Sequence, residues 1–169
     1  MDKLIYCQRD IPKEKWRYGL RSSAATGCGW IATYNALRLL GYRPRPEKLI
    51  KHYEKMLPLV HGNMGTFIYA PAMFFYMAGF GVKTTRNRKK FDEIAAKSDV
   101  SILYFWWKKG FKVGAHFVAV RHTADGFVGY NTYRKSKGPD FYGSSLDEFL
   151  KSKGYFGVML TGITDRPGE

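Results

Sequence analysis

At 169 residues, 45% hydrophobic and 17% aromatic, the chain is long enough to bury a sizeable core and too apolar to stay disordered, although 25% of it is charged. Twenty-eight Lys and Arg against fourteen Asp and Glu give a formal charge of +14, which predicts attraction to acidic partners and says nothing about fold. Only two cysteines occur, Cys7 and Cys28, so neither a disulfide framework nor a four-cysteine zinc site can be built.

The opening stretch, MDKLIYCQRDIPKEKW, carries acidic residues early and lacks an apolar segment of signal-peptide length, so no export signal is expected and a cytoplasmic location is. The first 25 residues read as irregular chain with short extended pieces. A first helix is predicted from Cys28, where Trp30, Tyr34 and Leu37 recur at helical spacing with Ile31 and Leu40 beside them, and Gly41 can close it. A second follows Pro44 and Pro46 through EKLIKHYEKML, and a third covers about Tyr69 to Ala78. Residues 56–82 contain no Asp, Glu, Lys or Arg, yet His61, Gly62, Asn63, Gly65 and Pro71 interrupt them. The apolar part is shorter than the roughly 20 residues of a spanning helix, which predicts a buried core helix and no transmembrane segment. GNMGT, at 62–66, reads as a loop at the rim of a cleft.

FGVKTT then reads as a short strand and RKKFDEIAAKS as a helix with Phe91, Ile94 and Ala95 on one face. The character changes after this point: VSILYFWW, GAHFVAVRHT, GFVGYNTY and YFGVMLTGIT are β-branched or aromatic runs punctuated by Gly, Asp and Lys, and are predicted strands. Asp125-Gly126 marks a hairpin between the second and third of them, and SSLDEFLKSKG adds a Ser-capped helix before the last. No repeat, low-complexity tract or linker divides the chain. The expectation is one α+β domain over residues 1–169, helices first and then an antiparallel sheet.

The chemistry rests on Gly27-Cys28-Gly29. A helix N-terminus favours a thiolate through its unpaired N–H groups and its dipole, so a cysteine placed there is a candidate nucleophile with a depressed pKa. The flanking glycines leave room for a substrate backbone, and the Cys28 N–H can face an oxyanion. Of the four histidines, His116 interrupts an apolar strand just after two small residues and is the candidate base; Asn131, across the Asp125-Gly126 hairpin, is placed to orient it. Taken singly, each has a plainer explanation: small-flanked cysteines are usually buried filler, and strand histidines are usually satisfied structural residues.

Gln8, Trp16, Tyr18-Gly19, Gly27-Cys28-Gly29 and Asn35-Ala36-Leu37 are followed by Gly114-x-His116-Phe117, an Asp-Gly turn, a strand ending at Asn131 and a closing LDEFL helix. This order resembles the papain-like cysteine peptidases of bacteria, within them the branch related to the double-glycine leader peptidases of bacteriocin exporters. The resemblance implies a papain-like fold, with N-terminal helices carrying Cys28 packed on a C-terminal antiparallel sheet carrying His116 and Asn131. It also implies that Cys28 is the nucleophile, His116 the base and Gln8, the chain's only glutamine, the side-chain half of the oxyanion hole. The sequence departs from that family after the third position, reading YNTY where Asn-Asp-Pro or Asp-Pro is common, so Thr132 and Asp140 stand as alternative partners of the histidine.

The expected activity is cleavage of peptide or amide bonds, with a peptide or protein substrate whose acidic character the +14 charge would favour. The same site would perform acyl transfer if an amine or thiol replaced water. The competing class is a non-catalytic basic module for nucleic acid or acidic polymer, for which KTTRNRKK and WWKKGFK, mixing basic and aromatic residues, are the features. His52 and His61 have no metal-ligand spacing and no glycine-rich phosphate loop occurs, so no cofactor and no metal is expected.

Overall fold

The computed structural model describes residues 3–55 and 65–165. His61 and positions 62–64 of the expected rim loop lie outside them, as do the last two positions of the expected second helix.

After a 3-10 turn at Gln8–Asp10, a two-stranded ribbon, β1 (Arg17–Tyr18) and β2 (Arg21–Ser22), leads into a short helix α1 (Ser23–Thr26) and then α2 (Cys28–Leu39). Helices α3 (Pro46–Lys55) and α4 (Ala70–Met77) precede β3 (Gly81–Thr85) and α5 (Phe91–Ala96). Strands β4 (Val100–Lys109), β5 (Lys112–Thr123), β6 (Gly126–Tyr130) and β7 (Asp140–Gly143) follow, then α6 (Leu146–Ser152) and β8 (Tyr155–Thr164). The sheet is antiparallel throughout and runs β3-β8-β4-β5-β6-β7. The described chain is thus an α+β arrangement of helices and a six-stranded antiparallel sheet, and no helix among the described residues is long and apolar enough to cross a membrane.

The sheet is covered on both faces, which is why its central strands read as continuous apolar runs rather than alternating ones. On β4 and β5, Ile102, Phe117 and Ala119 join the core shared with α2, α3 and α4, while Leu103, Phe105, Val118 and Val120 join a second core under α5 and α6. A register shift between Tyr104 and Phe105 against β8 lets that strand keep Tyr155 in the second core and Ile163 in the first.

Helix α2 is buried at every position from Gly29 to Leu37, so it behaves as the central helix of the domain rather than as an amphipathic surface one. Its two buried polar side chains are paired: Thr33 with the Tyr53 hydroxyl, and Asn35 with the main chain of Ile5, whose N–H donates at 2.9 Å and whose carbonyl accepts at 2.8 Å. Asn35 thereby ties the N-terminal segment, and Gln8 with it, to α2. The helix ends as its sequence requires: Gly41 has φ 91°, its N–H reaches Arg38 O at 3.1 Å and the Tyr42 N–H reaches Leu37 O at 2.9 Å. Helix α4 closes in the same way at Gly79, with φ 88°. The cap of α6 is Ser145, whose Oγ accepts from the Glu148 N–H at 3.3 Å.

Several elements differ from the sequence expectation: α1 forms where irregular chain was expected up to residue 25, and β7 was not expected at all. Strand β6 stops at Tyr130 rather than continuing through Tyr133, because Asn131 takes a left-handed backbone with φ 69° and turns the chain out of the ladder. Strands β4 and β5 run on as a long hairpin through WWKKGFK, closed by a two-residue turn whose first residue, Gly110, has φ 59°.

Candidate active site

Cys28 is the first residue of α2, separated from α1 only by Gly27, so the expected seat at a helix N-terminus is present. What shapes the approach is Ser23. This residue is fully buried; its hydroxyl donates to the Trp16 carbonyl and accepts from Trp30 Nε1 at 3.0 Å, binding α1 to both the ribbon and α2. The glycines beside Cys28 have a different role from the one expected. A Cβ at Gly27 would lie 2.6 Å from both Ser23 O and Trp30 Nε1, and one at Gly29 would lie 2.3 Å from Thr66 Oγ1. Both spaces are filled by the protein's own atoms, so the glycines permit close packing around the cysteine rather than the approach of a substrate.

The expected depression of the Cys28 pKa is also corrected. Burial, the largest influence, pushes the thiol up, while the N–H groups of Phe117, Gly29 and Cys28 itself pull it down and do not prevail. The Phe117 contact puts the sulfur against strand β5 at the residue after His116.

His116 is settled by one hydrogen bond. Its Nε2 lies 2.6 Å from the main-chain oxygen of Asn131. A carbonyl only accepts, so Nε2 carries the hydrogen in the neutral ring and Nδ1 keeps its lone pair. Burial holds the imidazole pKa below its ordinary value, with the Asn131 carbonyl acting in the opposite direction. Burial thus favours the uncharged form of each group, thiol and imidazole.

Asn131 thus contacts His116 through its backbone, whereas the expectation was its side chain. The side chain instead holds Gln8: Oδ1 accepts from the Gln8 N–H at 2.7 Å and Nδ2 donates to Gln8 Oε1 at 3.2 Å. Gln8 Nε2 in turn donates to Ala24 O at 3.1 Å, in α1 just before Cys28. The two alternative partners of the histidine are engaged elsewhere, Thr132 with the Tyr142 hydroxyl at 2.6 Å and Asp140 with Ser136 Oγ at 2.6 Å.

Cys28, His116, Gln8 and Asn131 all line one open cleft of about 850 Å³, a size usual for ligand sites. Cys7 is buried, its thiol 3.1 Å from Arg134 O. Sequence reasoning left out the cleft's rim, where Arg9, Lys109, Lys112 and Arg134 stand. WWKKGFK pointed at two of them, but only the hairpin geometry brings them beside Cys28. KTTRNRKK lies elsewhere, and its Arg88 pairs with Asp147 at 2.7 Å. Among the described residues no group of three or more His, Cys, Asp or Glu could hold a metal ion. No family model matches the sequence, and no curated protein is significantly similar to it.

Proposed function

We propose that this chain is a papain-like thiol hydrolase that cleaves peptide or amide bonds. The observation that carries the reading is the Nε2 to Asn131 O bond, which leaves Nδ1 of His116 as a base in the cleft that Cys28 lines. As the Cys28 sulfur attacks the carbonyl carbon, its proton passes to His116 Nδ1 and the carbonyl electrons move onto oxygen. The second hydrogen of Gln8 Nε2 and the Cys28 N–H, which precedes the α2 ladder, stabilise that oxyanion. The imidazolium so formed is steadied by its Nε2–H on the Asn131 carbonyl, a dipole in place of the carboxylate that many such sites use. Collapse of the tetrahedral adduct expels the amine, which takes the proton from Nδ1, and leaves a thioester. His116 then deprotonates water for attack on the thioester, and the thiol is regenerated.

A peptide panel incubated with the wild type, Cys28→Ala and His116→Ala tests this. Cleavage by the wild type and at least about 10³-fold less by either variant is expected. Equal cleavage by all three would overturn the reading.

A further inference from the structure

The cleft has a charge of one sign. Arg9, Lys109, Lys112 and Arg134 line it, all four are exposed, and no Asp or Glu does so. None of the four forms an ion pair with a carboxylate among the described residues, unlike Arg88, Lys97 and Lys151. The positive field is thus directed into the cleft rather than cancelled within the protein.

A second observation gives the shape of what enters. Strand β5 pairs with β4 along residues 112–120 but with β6 only from Ala119 to Thr123, because β6 ends at Tyr130. Residues 112–116 all line the cleft, although successive side chains of a strand point to opposite faces. With Phe105, Trp107 and Lys109 of β4 lining it from one face, the consecutive lining residues of β5 mean that the cleft extends over that face to the strand's edge, where main-chain N–H and C=O groups lack a strand partner. This open edge leads to His116 at one end and, at the other, to Lys112 and the exposed Phe111 of the hairpin turn.

Resting on the thiol-hydrolase reading of the same cleft, we infer that the substrate is an acidic peptide segment. It binds in extended form as an added strand on the 112–116 edge, with its carboxylates against Arg9, Lys109, Lys112 and Arg134. The edge favours a peptide over a nucleic acid, since its alternating donors and acceptors match a peptide main chain and not a sugar-phosphate one.

The test uses the full chain as Cys28→Ala, so that binding is read without turnover. The probes are a short fluorescent peptide alternating Glu with Ala, its Gln counterpart, and a single-stranded thymidine oligonucleotide of equal charge, each followed by anisotropy. The Glu peptide should bind at least about tenfold more tightly than the Gln peptide, less so at high salt. Adding Lys109→Glu and Lys112→Glu together should abolish that preference, whereas Lys48→Glu with Lys51→Glu on α3 should leave it within about twofold. N-methylation of alternate peptide amides should weaken binding if the edge is used. Equal affinity for the Glu and Gln peptides, or tighter binding of the oligonucleotide than of the Glu peptide, would overturn the inference. Binding that behaves as expected while the unsubstituted protein cleaves nothing would leave the basic, acidic-peptide-binding cleft standing and reject the hydrolase. Cleavage of neutral and acidic peptides alike, untouched by the Lys109 and Lys112 changes, would do the reverse.

Discussion

Replacing Asn131 separates two roles that its position makes easy to confuse. The side chain is 2% exposed and holds the Gln8 N–H at 2.7 Å and Gln8 Oε1 at 3.2 Å. Truncation leaves a Gln8 N–H without its partner, at about 1–3 kcal/mol, and removes a second bond worth about 1 kcal/mol. The φ of 69° adds about 1 kcal/mol for alanine, which tolerates the left-handed region less well than asparagine, but not for glycine. Asn131→Ala should therefore lose about 3–5 kcal/mol and Asn131→Gly about 1 kcal/mol less, read by urea denaturation. Such losses remain below the upper part of the ordinary 5–15 kcal/mol range of domain stability, so a folded fraction is expected. The ring of His116 is held by the main chain of residue 131, so the imidazole titration followed by NMR in Asn131→Gly should stay close to wild type. Turnover should fall as it does in Gln8→Ala, about 10²-fold, and the double variant should lose little more than either alone. A large displacement of the His116 titration, with additive losses of turnover, would show that the side chain serves the histidine after all.

Because burial holds the His116 pKa below its ordinary value, the unfolded chain binds a proton before the folded one as pH falls. Stability should thus decline on acidification from about pH 6.5, and His116→Phe should flatten the decline; an unchanged slope in urea titrations would contradict this. The raised Cys28 pKa acts in the other direction, so stability should decline as pH rises past the ordinary thiol value of about 8.5, a decline that Cys28→Ser should remove. Gly29→Ala should cost about 1–3 kcal/mol because its Cβ would meet Thr66 Oγ1 at 2.3 Å, and Thr66→Gly should restore part of this; a neutral Gly29→Ala would mean that the Thr66 segment yields freely. Gly129→Ala would put its Cβ 1.9 Å from the Tyr142 hydroxyl oxygen and 2.1 Å from Tyr142 Cζ and should be destabilising in a thermal melt; an unchanged melting temperature would mean that the Tyr142 ring yields freely.

Most elements could be read from the sequence, since each had a local cause: Gly41 and the apolar spacing for α2, Ser145 for α6, Asp125-Gly126 for the β5-β6 turn. Strand β7 could not, being four residues that begin at Asp140 and end at Gly143 and whose extended form comes only from pairing with β6. In the site, residue types and placement pointed to Cys28, His116 and Asn131, and the family resemblance alone pointed to Gln8; all four share one cleft. The roles of individual atoms were hidden. Whether Asn131 presents its amide or its carbonyl to His116 depends on a backbone angle, and whether Gly27 and Gly29 face a ligand or Thr66 and Trp30 depends on packing from distant segments. The thiol pKa was misjudged because the helix terminus is visible in sequence and the burial that outweighs it is not.

The most direct test of the central claim is to quench the protein in acid during reaction with an acidic peptide thioester and to map the acyl group by mass spectrometry. An acyl adduct on Cys28, labile to hydroxylamine, absent from Cys7 and lost in His116→Ala, is the predicted result. An adduct distributed equally over both cysteines, or one formed as fast in His116→Ala as in the wild type, would contradict the assignment of Cys28 and His116 as nucleophile and base.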